Sequence, residues 1–186
     1  MCHIAAVLPM LAIFDVGGAY VTMGHFDPGL ALRLLEEYRV TATYPTFVTI
    51  MQGLLYHPDF RKRDLSRIRI MNSNFAVQPP GIAPAVMKAI PRAIQVGTFG
   101  MTETAGTVCT SSPDDPVQQR ITRLGRPLPG LQVRILDPAT GLDAPTDERG
   151  EILVHGYSLT EGYYKDAAKT AQALDPEGWF HTGDLG

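Results

Sequence analysis

The chain has 186 residues, of which 45% are hydrophobic and 19% are charged, and its formal net charge is -3. These values are typical of a globular protein with one large domain or two small ones, and they provide no basic surface for nucleic acid or an anionic membrane. No apolar run approaches the roughly 20 residues of a membrane helix, so we expect the apolar stretch 4–14, which Pro9 interrupts, to form a buried element. Cys2 and Cys109 lie far apart and form no disulfide framework or metal motif, which favours a reduced, cytoplasmic setting.

Strand-like and helix-like periods alternate through the first hundred residues. Asp27 and Pro28 predict the start of one helix, because Asp caps helix N-termini and Pro suits the first turn. Alternating strands and helices with short connections predict a parallel sheet whose faces are covered by helices. The predicted strands are 19–23, 41–44, 68–72 and 93–99, and the predicted helices are 26–40, 45–58 and 79–90.

The pattern changes near residue 112, where a polar, proline-containing connection begins. Alternating strands joined by turns follow this connection. We therefore predict an α/β portion with a parallel sheet, residues 1–110, followed by a smaller β-rich, distorted barrel-like portion, residues 111–186. The later elements are predicted strands at 131–137 and 150–156, with a short helix at 165–174.

The segment "FGMTETAG" leaves a predicted buried strand at the edge of the sheet where α/β proteins bind ligands. Gly100 permits close backbone approach, and Thr102 supplies a hydroxyl for phosphate oxygens. The Glu103 carboxylate suits Mg²⁺, which bridges to phosphate, and the Phe99 ring offers a flat face to a base. Taken alone, these residues favour an ordinary strand-to-loop exit with a capping Thr over a phosphate site.

The final segment, "HTGDLG", raises a similar question about Asp184. A carboxylate in a Gly-flanked turn can accept two hydrogen bonds from adjacent hydroxyls, such as those of a ribose. An Asp-containing turn with no ligand is an equally good interpretation.

Five ordered stretches of the second half together resemble the adenylate-forming enzymes, which include acyl-CoA synthetases, luciferases and the adenylation domains of peptide synthetases. The first half also fits, because "VTATYPTFVTIM" is similar to the segment that precedes the acyl pocket in that family. The resemblance implies that ATP activates a carboxylic acid as an acyl-adenylate, and that a thiol, usually of coenzyme A, then accepts the acyl group. The five stretches are "FGMTET", "GRPLPGLQVRILDPATG", "RGEILVHG", "EGYYKD" and "GWFHTGDLG".

The resemblance also implies a role for each candidate residue. Thr102 would contact phosphate, with Gly100 beside it, and Glu103 would bind Mg²⁺. Phe99 would stack on adenine, and Asp184 would hold the ribose hydroxyls. The reaction joins two anions, so the metal and the hydrogen-bond donors would offset their repulsion.

Further residues are implied at the acyl pocket and the adenine. His3 follows the family pattern near the acyl channel, although a helix-start or surface histidine is an equally good interpretation. Thr98 and Ala105 would line the acid pocket. The family's Gly-Gly-Ala-Pro-like loop against adenine corresponds here to "NFAV", which includes Asn74, Phe75 and Ala76. Phe75 is bulky for that loop, and we expect it to narrow or cap the pocket.

The family's Lys-bearing phosphate loop and its small carboxyl-terminal domain have no counterpart in these 186 residues. We therefore expect an incomplete domain, an internal fragment of an enzyme roughly three times longer. We also expect the isolated chain to lack ligase activity.

The sequence leaves several functions open. The leading interpretation is the central part of an ATP-dependent acid–CoA ligase acting on a fatty or related acid. Alternatives are a fragment of an acyl-AMP ligase that feeds a carrier protein, a fragment of a peptide-synthetase adenylation domain, or a non-catalytic nucleotide-binding relative. The sequence contains neither GxxxxGK[ST] nor GxGxxG after a strand, which argues against a P-loop phosphotransferase and a dehydrogenase.

Overall fold

The computed structural model describes residues 3–45, 47–74 and 81–186. Two compact units are distinguished by their internal contacts. The first comprises Met1–Phe99 and Thr110–Arg126, and the second comprises Gly100–Cys109 and Pro127–Gly186. By its contacts, the loop that follows Phe99 belongs to the second unit, although it lies in the first portion predicted from the sequence.

The first unit is built on parallel strands. Strands β1 (Ala42–Thr43), β2 (Ile70–Asn74) and β3 (Ile94–Phe99) pair in parallel, with Ala42 opposite Ile70 and Ile70 opposite Ile94. The sheet continues in the order β1-β2-β3-β4-β5 through two short strands at the unit boundaries, β4 (Cys109–Thr110) and β5 (Arg126–Pro127). The predicted parallel sheet is confirmed.

Within the described residues, five helices accompany these strands, and α2 begins as predicted. The Asp27 side chain accepts a hydrogen bond from the Leu30 amide at 2.6 Å, and Pro28 occupies the first turn. Leu32 of α2 is fully buried in a core that includes Met51, Leu54 and Ile68. The helices are α1 (Ile4–Asp15), α2 (Pro28–Glu37), α3 (Val48–Leu55), α4 (Ile82–Ala89) and α5 (Val117–Thr122), with a 3₁₀ turn at Phe60–Lys62.

Two predictions for the N-terminal region are wrong. Residues 19–23 form no strand, because no neighbouring strand in the described part of the chain accepts their backbone hydrogen bonds. The apolar stretch 4–14 does form an element, α1, which accommodates Pro9, but none of its described residues is buried. Burial requires a facing partner as well as an apolar composition, and Leu11 and Phe14 remain more than half exposed.

The second unit contains an antiparallel sheet of order β6-β7-β8. Val133 pairs with Val154, and Val154 pairs with Phe180, so apolar side chains on neighbouring strands form the interior. Within the described residues these three strands form an open sheet without closure into a barrel. The elements are β6 (Leu131–Leu136), β7 (Glu151–Gly156), α6 (Ala167–Ala173), β8 (Phe180–Leu185) and a 3₁₀ turn at Thr102–Thr104.

The predicted fold class is therefore confirmed: a parallel α/β part precedes a smaller β-rich part. Among the helices of the described residues, none combines the length and apolar character needed to span a membrane.

Candidate functional site

The loop after β3 folds so tightly that Gly100 cannot carry a side chain. A Cβ atom at Gly100 would lie 1.5 Å from the carbonyl oxygen of Gly106. Thr104 stabilises the same loop, because its hydroxyl accepts from the Met101 amide at 3.1 Å and donates to the Met101 carbonyl at 3.0 Å. Thr104 is fully buried. Its structural role is therefore to cap the loop, which is the role that the sequence alone favoured.

Unlike the buried Thr104, its immediate neighbours in the loop are exposed or half-buried. Thr102 is exposed, and Glu103 is half-buried in the same 3₁₀ turn. Ala105 is exposed and ends the turn with a left-handed φ of 53°, and Gly106 follows with φ 103°. The loop therefore brings a hydroxyl and a carboxylate to the surface of the second unit while its own backbone is closed by hydrogen bonds.

Glu103 is held at two points by the segment that precedes α6. The Tyr163 hydroxyl donates to Glu103 Oε1 at 3.0 Å, and the Thr160 amide donates to the Glu103 carbonyl at 2.7 Å. Both the side chain and the backbone of Glu103 are thus restrained. A carboxylate restrained in this way loses little further rotational freedom when it binds a ligand.

Tyr163 is itself well anchored. Its amide donates to Thr170 Oγ1 at 2.8 Å, and Lys169 Nζ lies 4.2 Å from the centre of its ring. Partial burial raises the pKa of Tyr163, and the hydrogen bond to Glu103 and the negative charge of that carboxylate raise it further. The phenol therefore keeps its proton and acts as a donor at neutral pH.

Asp184 lies in strand β8, so the predicted turn is wrong. Leu153 of β7 pairs with His181, but Glu151 pairs with Leu185, so β8 advances four residues where β7 advances two. The extra residues form a bulge around Gly183, which has φ 73°. The Asp184 side chain is exposed on this bulge. Residues that look like a turn in sequence can form a bulge instead, because both need a glycine with positive φ.

Groups from β7 and from the bulge itself satisfy the hydrogen bonds that the ladder leaves open. Glu151 Oε1 accepts from the Gly183 amide at 3.0 Å, and Glu151 Oε2 lies 3.0 Å from His181 Nδ1. The Thr182 hydroxyl donates to the Ile152 carbonyl at 2.7 Å and accepts from the Asp184 amide at 3.1 Å. Asp184 therefore stands on a backbone that is restrained by these contacts.

The remaining predicted residues belong to the first unit. Phe99 is the last residue of β3 and is 9% exposed, and Thr98 is buried, with Asn72 Nδ2 3.4 Å from its hydroxyl. His3 caps α1, since its Nδ1 accepts from the Ala5 amide at 3.0 Å, and its ring makes a T-shaped contact with the ring of Phe47. That geometry is the helix-start role considered for this histidine.

The adenine loop predicted at 74–77 falls largely outside the described residues. Asn74 ends β2, where its backbone pairs with Gly97. Phe75 and Ala76 are not among the described residues. The expected effect of Phe75 on the pocket therefore stays a prediction.

The donor set around Glu103 suits a metal that is shared with a nucleotide. In residues 3–45, 47–74 and 81–186, no group of three or more His, Cys, Asp or Glu side chains is arranged to hold a metal ion. Mg²⁺ in nucleotide sites is commonly bound by one or two carboxylates together with substrate phosphates and water. A single restrained carboxylate beside the exposed Thr102 hydroxyl is compatible with that mode of binding.

Sequence reasoning missed the contacts of Tyr163 and Glu151. From the sequence alone, both residues match family positions, but packing in a turn and in a strand explains their presence adequately. Tyr163 reaches Glu103 across 60 positions of the chain, and Glu151 reaches Gly183 across 32. Their occurrence in the motifs "EGYYKD" and "RGEILVHG" was the available signal.

Comparison with known proteins agrees with the motifs. The family model described as "AMP-binding enzyme" matches residues 1–164. The chain is 33% identical over 189 residues to 4-coumarate–CoA ligase 4 of Arabidopsis thaliana, covering 100% of this chain and 33% of the relative. It is also 33% identical over 177 residues to a CoA ligase of Mycobacterium tuberculosis named for a methyl-dioxo-octahydroindenyl propanoyl group, covering 95% of this chain and 32% of that protein.

A solved structure extends the comparison to the fold. The ATP-bound chimera B3 of RpMatB and BxBclM superposes with a TM-score of 0.86 at 27% identity, covering 99% of this chain and 35% of that one. The chain spans about a third of the length of the curated relatives it matches. From the family match, the similarity to the relatives and the shared fold, we conclude that this chain belongs to the family of AMP-binding enzymes, as the resemblance of its motifs to the adenylate-forming enzymes implied.

Proposed function

We propose that this chain forms the nucleotide-binding part of an ATP-dependent acid–CoA ligase. The observation that carries the proposal is the restraint of Glu103 by Tyr163 and Thr160, in a loop that also exposes the Thr102 hydroxyl. The names of two relatives as CoA ligases and the ATP in the similar chimera support the same function.

In this proposal each residue serves the adenylation of the acid. Glu103 contributes a carboxylate to Mg²⁺, and Thr102 donates its hydroxyl to a phosphate oxygen. Phe99 stacks on adenine, with Gly100 beside it, and Asp184 accepts hydrogen bonds from the ribose hydroxyls. When bound, the metal supplies positive charge that offsets the repulsion between the attacking carboxylate and the triphosphate.

The substrate acid is assigned only by class. We propose a carboxylic acid, fatty or related, with His3, Thr98 and Ala105 near its pocket. The names of the two relatives refer to ring-bearing acids, so aromatic and cyclic acids belong in a screen beside straight-chain ones. Coenzyme A is the proposed acceptor, and a cytoplasmic location stays a prediction from the wide separation of Cys2 and Cys109 in the sequence.

The test is acid-dependent exchange of pyrophosphate into ATP, followed by assay for the CoA thioester. It uses the protein encoded by the complete reading frame around these 186 codons, with the 186-residue chain assayed in parallel. We expect Glu103→Gln to lower exchange by about 100-fold or more, because it removes a charge that acts on the transition state. Glu161→Gln, which changes an exposed neighbour of Tyr163, serves as the matched control and should retain exchange.

The possible results separate the candidate functions. Exchange and thioester formation by the complete protein support the acid–CoA ligase. Acyl-adenylate without thioester indicates an acyl-AMP ligase or an adenylation domain with a carrier protein. ATP binding without exchange for any acid indicates a non-catalytic relative, and strong exchange by the 186-residue chain alone would overturn its predicted inactivity.

A further inference from the structure

We propose that Glu151 is a positioning residue that holds the bulged end of β8 so that Asp184 presents its carboxylate to the ribose hydroxyls. The inference rests on the proposed function, in which Asp184 binds ribose. It adds a residue on a different strand, 33 positions earlier in the chain, that touches no substrate and acts through the backbone of β8.

A single carboxylate contacts both sides of Thr182. Glu151 Oε1 accepts from the Gly183 amide, and Glu151 Oε2 lies within hydrogen-bond distance of His181 Nδ1, each at 3.0 Å. Glu151 lies on the same face of β7 as Leu153, whose partner is His181. The side chain is therefore placed to connect the last regularly paired residue of β8 with the centre of the bulge.

The contact between Glu151 and the Gly183 amide matters because β8 departs from the regular hydrogen-bond ladder at the bulge. Between the pairs Leu153–His181 and Glu151–Leu185, β8 has two residues more than β7. Gly183 adopts φ 73°, and its amide is satisfied by the Glu151 carboxylate. Gly183 is exposed, so without Glu151 its amide would bind water and the strand could take a different path; the carboxylate fixes the amide on the path of the bulge.

Asp184 lies between two restrained points. On one side, Glu151 holds Gly183. On the other, Gly186 and Gly150 exchange hydrogen bonds, with Gly186 N to Gly150 O at 2.9 Å and Gly150 N to Gly186 O at 3.2 Å. The Asp184 side chain remains exposed between them, whereas the side chain of Glu151 is only 21% exposed. Glu151 thus serves the backbone, and Asp184 is left available for a ligand.

His181 connects Glu151 to β8 at a second point. Its Nε2 faces a second carboxylate, Asp175 Oδ2, at 3.9 Å, while Asp175 Oδ1 accepts from the amides of Glu177 and Trp179. The imidazole is flanked by carboxylates on both ring nitrogens, which orients it toward Glu151. The geometry therefore describes a fixed connection from the turn at Asp175 through His181 and Glu151 to the bulge.

The test measures discrimination for the ribose hydroxyls in the complete protein. The dissociation constants of ATP and of 2′,3′-dideoxy-ATP are measured for the wild type, Glu151→Ala, Glu151→Gln and Asp184→Ala. We expect Glu151→Ala to lower the ratio of the dideoxy-ATP constant to the ATP constant by about 10- to 100-fold, the range for losing hydrogen bonds to a charged group. Glu151→Gln should restore most of the ratio, because an amide oxygen can still accept from Gly183. Glu148→Gln, an exposed change three residues away, is the control.

Three results would overturn the proposal in different ways. If Asp184→Ala lowers the ratio and Glu151→Ala leaves it unchanged, the positioning role is wrong while the ribose site stands. If Asp184→Ala itself leaves the ratio unchanged, the ribose role of Asp184 fails and the inference about Glu151 fails with it. Should Glu151→Ala not fold, Glu151→Asp decides, because the shorter side chain cannot reach Gly183 and His181 together; a wild-type ratio in that variant would also overturn the proposal.

Discussion

At the scale of single residues, Tyr163 gives the candidate site its rigidity. Its hydroxyl reaches Glu103, its amide binds Thr170, and its ring lies beneath the Lys169 ammonium group. A change that removes only the hydroxyl isolates the contact with Glu103, since the ring and the backbone remain in place. Tyr163→Phe is therefore the most informative single substitution outside the predicted ligand contacts.

We predict that Tyr163 titrates above the value of about 10 expected for a free tyrosine, because burial and the Glu103 carboxylate raise its pKa. A raised pKa in the folded state means that its stabilisation is fully present below pH 10 and is lost as pH rises through the folded pKa. The difference in tyrosinate absorbance between the wild type and Tyr163→Phe reports this one group. A midpoint at or below pH 10 would contradict the prediction.

The comparison of the wild type with Tyr163→Phe also removes the contribution of a second group, Cys109, to the loss of stability at alkaline pH. Burial raises the pKa of the Cys109 thiol to about 11, so Cys109 also loses stabilisation as pH rises from its unfolded value toward 11. Both variants retain Cys109, and the difference between their unfolding free energies therefore isolates Tyr163. We expect the free energy of unfolding of Tyr163→Phe to fall less steeply above pH 10 than that of the wild type.

Gly100 provides the second test at this scale. Gly100→Ala would place Cβ 1.5 Å from the Gly106 oxygen, so the loop that carries Glu103 must rearrange. We expect a loss of about 3 kcal/mol or more in the free energy of unfolding, at the upper end of overpacking effects. Urea unfolding measures the loss.

Gly24→Ala is the control for Gly100→Ala, because a Cβ there meets nothing within 4 Å and its φ is not positive. It should leave the free energy of unfolding within about 1 kcal/mol of the wild type. If the two variants were equally stable, the close approach of the loop at Gly100 would be wrong.

At the scale of elements, the features that were predicted correctly depend on local sequence patterns. The start of α2 follows from Asp27 and Pro28, and the pairing of β1, β2 and β3 follows from short, alternating segments. The failures at 4–14, 19–23 and "HTGD" have one cause. Each depends on a partner elsewhere in the fold, and neither composition nor periodicity states whether that partner is present.

The candidate site likewise has features that the sequence suggests and contacts that it does not. The residue types in the motifs around Glu103 and Asp184 suggest oxygen ligands. The resemblance assigns roles to these two residues, and the roles stay predictions. The contacts that restrain these residues join β7 to β8, and the 3₁₀ turn to the segment before α6. Such pairs are defined by the register of the sheet and by the path of the chain between elements, so inspection of a single motif could not identify them.

We predict that the cap of α2 contributes about 1 kcal/mol to the free energy of unfolding. Asp27→Ala removes the oxygen that accepts from the Leu30 amide at 2.6 Å, and this helix contributes the fully buried Leu32 to the core. Asp27→Asn keeps an acceptor and should retain most of that stability. Urea unfolding of the three proteins measures the effect, and equal losses for the Ala and Asn variants would contradict the capping role.

At the scale of the whole molecule, the chain exposes large apolar side chains while carrying little charge to keep copies apart. On α1, Leu11 is 54% exposed and Phe14 is 55% exposed, and Val16, which follows the helix, is 75% exposed. Residues three positions apart lie on one face of a helix, so Leu11 and Phe14 form a continuous apolar surface. A net charge of -3 provides weak repulsion between copies.

We therefore predict that the 186-residue chain self-associates through α1 as its concentration rises, because exposed apolar patches gain from mutual burial. In sedimentation velocity over a concentration series, the double variant Leu11→Gln, Phe14→Gln should remain monomeric at concentrations where the wild type associates. The control is Arg33→Gln with Glu37→Gln, which changes two exposed positions at α2, leaves the net charge unchanged and should associate like the wild type. A wild-type chain that stays monomeric throughout, or a double variant of α1 that associates equally, would show that this surface does not drive association.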